Sequence, residues 1–191
     1  MTSRPTRITK RERTAHHEAG HAVVSAAIND APRLVSIIAN DYSLGRSRYA
    51  FEGPPERLVQ IHLAGFAAEE LLSGRQSRQL RGLELGMSVM AAVNPLLAGA
   101  ASPAEGSDQH LAVREILTMG CAPNRDSIRA EFEHFYAIAR AAVESVWPAV
   151  VAVAQALLER CELGRDAFSE AVGAHDIYAP VAAVQKAYGL R

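Results

Sequence analysis

A His-Glu-x-x-His run, His17-Glu18-Ala19-Gly20-His21, constrains this chain more than any other feature. Residues four apart share one face of a helix, so the run calls for a helix that aims two imidazoles at one point. His17 and His21 so placed are expected to be ligands for Zn²⁺, with Glu18 beside them able to take a proton from a metal-bound water. The flanks predict a helix over residues 9–28. Thr9 and Glu12 have capping-box spacing, and Ala22, Val23, Ala26 and Ala27 supply apolar surface to hold the helix against a core.

Composition narrows the setting. The chain has 191 residues, 49% of them hydrophobic, and a net charge of −1, which predicts a single domain over 1–191 with a full core. No stretch approaches eighteen consecutive apolar residues, and the basic N-terminus lacks the apolar stretch of a signal peptide, so a cytoplasmic chain without membrane insertion is expected. Arg4, Arg7, Lys10, Arg11 and Arg13 are interrupted by Glu12 and have no interleaved aromatics. They predict a flexible basic tail at 1–8 leading into the helix, with no nucleic-acid partner. Cys121 and Cys161 are far apart and outside any Cys-x-x-Cys spacing, and they are expected as reduced, packed thiols.

Beyond the first helix, residues 34–39 and 46–51 are expected to form a small hairpin about a turn at 40–43. Pro54 and Pro55 mark a helix start and Gly74 its stop, with apolar residues around most of the helix between them, so a central position is expected. The pattern is weakest over 75–106, a candidate mobile insertion in which 83–93 carries a helical signal. A short helix is predicted at 109–119, capped by Ser107 or Asp108 and stopped by Gly120. A long helical stretch from Asp126 is predicted to kink or restart at Pro148 and to run on to Gly164. One more short helix is expected at 166–172, and the pattern beyond Ile177 fits no single element.

Catalytic zinc takes three protein ligands and keeps a fourth position for water, so one ligand must come from elsewhere in the chain. Asp108 opens a helix after a loop, where a carboxylate can serve either the metal or the cap. Glu69 and Glu70 sit on a largely apolar helix, where an ionised carboxylate needs a partner. Either could be the ligand or the acceptor for a ligand's imidazole N–H. His62 shares a helical face with Glu69, and a lone histidine there reads as a satisfied core residue. His110, two residues after Asp108, faces away from it.

Several separated pieces match one family in order. Residues 15–24, the hairpin region 34–49 with Leu44-Gly45 in its middle, Leu63-Ala64-Gly65-Phe66-Ala67-Ala68-Glu69-Glu70-Leu71, Gly106-Ser107-Asp108 and residues 152–168 together resemble the peptidase domain of FtsH-type AAA zinc metalloproteases. Leu63-Ala64-Gly65-Phe66 departs from that family's usual Gly-Gly-Arg, and the segment between Glu70 and Asp108 is longer. The resemblance implies that Asp108 is the third zinc ligand. It also implies hydrolysis of peptide bonds in unfolded or flexible polypeptides. The family joins this domain to membrane spans and an ATPase, whereas this sequence carries neither a span nor a Gly-x-x-x-x-Gly-Lys loop. A separate ATPase or a homo-oligomer is therefore an expected partner.

The expected fold is mainly α, a single helical zinc-peptidase-like domain with a small β-hairpin beside the zinc helix. An extended substrate is expected to add alongside the strand at 34–39. The alternatives are a catalytically silent zinc-containing interaction domain, which has no use for Glu18 as a base, a peptidase subunit relying on a separate ATPase, and a zinc hydrolase of non-peptide amides.

Overall fold

The computed structural model describes residues 8–28, 31–39, 45–48, 53–75 and 107–190. Seven helices and a small three-stranded antiparallel sheet make up the fold of these residues, which is mainly helical. The turn expected at 40–43, the helical signal at 83–93, nearly all of the segment 75–106 and most of the basic tail lie outside the described residues.

Helix α1 (Lys10–Ile28) begins at a reciprocal capping box. The Thr9 backbone N–H donates to Glu12 Oε2 at 2.7 Å, and the Glu12 N–H donates to Thr9 Oγ1 at 3.1 Å. From Ala15 to Ala26 the helix is buried on nearly every side. Helix α2 (Pro55–Ser73) packs against it and ends as expected at Gly74, in the left-handed conformation with φ 64°. The two backbones approach closely because position 20 is glycine: a Cβ there would lie 2.6 Å from the Ala64 carbonyl oxygen. This contact, made by Gly20 in the middle of the His-Glu-x-x-His run, sets the distance between the two helices that carry His17, His21 and Glu69.

Helix α3 (Asp108–Thr118) is capped by Ser107, whose side chain accepts from the His110 N–H, so Asp108 is the first helical residue and its carboxylate is not used as the cap. Helix α4 (Arg125–Ser145) and helix α5 (Trp147–Arg160) meet at a 79° bend at Val146, where Pro148 falls in the first turn and forfeits no helical hydrogen bond. Among the described residues no single helix is long and apolar enough to cross a membrane. The bent pair passes that test together, yet Ile138, Val143, Val150, Val153 and Leu157 face the common core.

Strands β1 (Leu34–Ser36) and β2 (Arg46–Arg48) form the expected hairpin pair, shorter than predicted, with Val35 opposite Ser47. A third strand, β3 (Glu162–Gly164), was not foreseen. It pairs antiparallel with the other side of β1, giving the order β2-β1-β3. The apolar stripe of α5 does not run to Gly164, because Cys161 adopts φ 63° and turns the chain out of the helix. No glycine announces this stop, and Leu163, fully buried in the strand, continues the apolar pattern as if the helix went on. Over 34–36 both edges of β1 are paired, so no substrate strand can add there; the outer edges of the sheet belong to β2 and β3.

Helix α6 (Arg165–Val172) follows β3 directly, and the unassigned C-terminal stretch forms helix α7 (Tyr178–Ala187), anchored by fully buried Val181. One continuous cluster of buried apolar side chains draws on every helix, together with Val35 and Leu163 of the sheet.

Candidate metal centre

His17 and His21, one turn apart on α1, turn their rings toward α2 and α3. Each is oriented by an acceptor on its Nδ1. His21 Nδ1 lies 2.6 Å from the Ile61 carbonyl oxygen, and His17 Nδ1 lies 2.7 Å from Glu69 Oε1. Carbonyl and carboxylate oxygens can only accept, so each neutral ring carries its proton on Nδ1 and presents a bare lone pair at Nε2. The two Nε2 atoms are 3.0 Å apart, and Asp108 Oδ2 lies 3.0 Å from one and 3.3 Å from the other.

Three acceptor atoms thus converge with nothing but lone pairs facing inward, an arrangement that is repulsive unless a cation sits among them. Zn–N and Zn–O bonds of about 2.0–2.1 Å in a tetrahedron put the ligand atoms about 3.3 Å apart, within a few tenths of an ångström of the separations here. His17, His21 and Asp108 could hold a metal ion. Without one, protons supply the positive charge. Burial disfavours a charged His17, but hydrogen bonds to Asp108 and Glu69 outweigh it and push its pKa up to about 10. Burial likewise opposes ionisation of Asp108, yet His21 and His17 hold its carboxyl well below the usual range. The cluster reaches the surface through Asp108, whose side chain is 30% exposed against 5% for His21.

Glycine makes room for this geometry. A Cβ at Gly65 of α2 would collide with His21 Nε2 and would lie 2.7 Å from His17 Nε2, so only a bare backbone fits beneath the two ligand atoms. Gly45, just before β2, has the same relation to Glu18: a Cβ there would sit 2.7 Å from both Cγ and Oε1 of Glu18. Glu18 does not bond the histidines. Its Oε2 accepts from Ser47 Oγ of β2 at 2.9 Å, and burial raises its carboxyl pKa, an effect that His21 and His17 partly offset. A carboxylate is thereby held beside the cluster without being consumed by it. Residue-by-residue reading of the sequence assigned no role to Gly45, Ser47 or Gly65; the one available signal was that both glycines fall inside segments carrying the family resemblance.

The two adjacent glutamates part company. Glu69 reaches His17, whereas Glu70, about 100° further around α2, turns to α4. It accepts from Tyr136 Oη at 2.6 Å and from Arg140 Nε at 3.0 Å. The expectation of Glu70 beside the histidines is corrected accordingly, since an Arg-Tyr pair on α4 satisfies it. His110 is buried and is not part of the cluster. His62 is buried too, but it is not the satisfied core residue expected, because its Nδ1 has no hydrogen-bond partner.

No protein-family model matches the chain, and no curated protein matches it.

Proposed function

We propose that the chain is a zinc-dependent endopeptidase acting on unfolded or flexible polypeptides. The observation that carries this reading is the position of Glu18. It is a buried carboxylate held by Ser47 and accommodated by Gly45, next to a His-His-Asp donor set that it does not join. A purely structural metal site has no use for such a group.

His17, His21 and Asp108 would hold Zn²⁺, which when bound would polarise a scissile carbonyl and acidify a water. Glu18 accepts the proton of the attacking water and delivers it to the departing amine nitrogen, so one C–N bond breaks as one C–O bond forms. Glu69 and the Ile61 carbonyl fix the ring orientations, which raises ligand basicity and removes the entropy of searching for it. The outer edge of β2, the strand bearing Ser47, is where an extended substrate would align beside Glu18. The likeness of residues 15–24 and 63–71 to FtsH-type peptidases supports the same assignment.

The test pairs metal analysis with casein degradation in wild type and Glu18→Gln. Both proteins should hold one zinc per chain, and the variant should lose roughly 10²- to 10⁴-fold in rate, the usual value of general-base catalysis. A Glu18→Gln protein that keeps half of the wild-type rate would exclude this role for Glu18.

A further inference from the structure

We infer that Arg46 selects among substrates, pairing with an acidic side chain next to the scissile bond of a polypeptide laid along the outer edge of β2; the inference rests on the peptidase reading above. The register of the sheet divides β2 between two faces. Ser47 lies opposite fully buried Val35 and donates to Glu18, so its face is the inner one. Successive residues of a strand face opposite ways, which puts Arg46, opposite Ser36, on the outer face. Among the described residues no strand pairs with the outer edge of β2, and an extended chain added there repeats the alternation. Its residue opposite Ser47 faces Glu18, and the neighbour of that residue stands opposite Arg46, at the separation of a cross-strand pair. Position 48 is arginine as well and meets the neighbour on the other side, so basic positions flank the reacting residue whichever way the substrate runs.

The fold makes no other use of this charge. Arg46 is only partly buried, and among the described residues no side chain makes an ion pair or hydrogen bond with its guanidinium. Ser36, directly across, is neutral, and its hydroxyl oxygen accepts from the Ile38 N–H. The acidic residue in register, Glu162, lies opposite Ser36 on β3, two strand spacings from Arg46, or about 10 Å. A partly desolvated cation favours a counter-charge, and a carboxylate carried in on a substrate strand supplies one in the forked geometry that suits arginine. An edge arginine can also serve to keep the β2 edges of two copies apart, because like charges directly opposite repel. That role gives no preference among substrates, so the two are separable.

The experiment measures binding of two fluorescent, unstructured peptides, identical except for Glu or Gln at both neighbours of a central leucine, to zinc-loaded Glu18→Gln protein at low salt, which separates contact from turnover. The Glu peptide should bind about fivefold tighter, the scale of one or two cross-strand ion pairs, and the difference should shrink at high salt. Adding Arg46→Gln should reduce the preference to about twofold and Arg46→Glu should erase it, with zinc stoichiometry unchanged in both. Equal affinity for the two peptides in the parent, no measurable binding of either, or a full preference in Arg46→Glu overturns the inference. So does an Arg46→Gln protein that dimerises in sedimentation while keeping the full preference, the mark of an arginine that only keeps copies apart. A preference that follows Arg46 in a protein that hydrolyses no polypeptide would instead sink the peptidase reading and leave the acidic contact standing.

Discussion

At the scale of single residues, the centre depends on atoms that are missing as much as on those present. Alanine is about 1 kcal/mol better than glycine inside a helix, so Gly65→Ala should favour α2 locally. It should nonetheless weaken zinc binding at least tenfold, because the added methyl would occupy the space beneath both ligand nitrogens. Gly45→Ala makes the complementary case. Its methyl would displace the Glu18 carboxylate, so zinc should remain stoichiometric while casein turnover falls at least tenfold. Equilibrium dialysis and initial rates on the two variants decide the matter, and equal zinc affinity in Gly65→Ala would refute the steric account. Glu69→Gln keeps the shape but weakens the acceptor on His17 Nδ1. A loss of ten- to a hundredfold in zinc affinity is expected, as for other partners of metal-bound histidines.

Among elements, the rotation of α2 decides which of two consecutive glutamates serves the site. Glu70 is clamped to α4 by Tyr136 and Arg140, and the same rotation leaves Glu69 pointing at His17. Burial raises the Tyr136 pKa first and the adjoining Glu70 carboxylate raises it further, so the phenol stays a donor at any working pH. Tyr136→Phe removes that hydrogen bond to a charged, partly buried acceptor, while Arg140 remains. A destabilisation of about 1–2 kcal/mol is expected by urea denaturation. A midpoint identical to wild type would show that Arg140 alone suffices. The short sheet has a comparable division of labour: β1 is closed on both sides, and β2 carries Ser47 to Glu18.

For the whole molecule, the donor set is assembled from α1 and α3, oriented by α2, and bordered by β2, all on one shared core. On the proposed peptidase reading, a folded substrate would not present an extended backbone to such a site. The purified chain should therefore degrade casein and spare a stable folded domain, and because its sequence carries no phosphate-binding loop, ATP should make no difference. Time courses with both substrates, with and without ATP, check this directly. Stimulation by ATP would contradict it, and cleavage of neither substrate would favour a silent interaction domain.

Local chemistry made much of this legible without coordinates. The α1 capping box, the Pro-to-Gly bounds of α2, the Ser107 cap and the break at Pro148 are written in residues within a turn of where they act, and the spacing of His17 and His21 is a property of the helix itself. The partners of those histidines are a different matter. Asp108 is 91 residues from His17, and the choice between Glu69 and Glu70 turns on how α2 rests against α4. Likewise β3 escaped notice because its pairing with β1 joins segments more than a hundred residues apart, and a three-residue strand has no periodicity of its own. Sequence determined which side chains could bind a metal and move a proton; tertiary packing alone decided which of them meet, because directions across helix interfaces are set by contacts between distant residues.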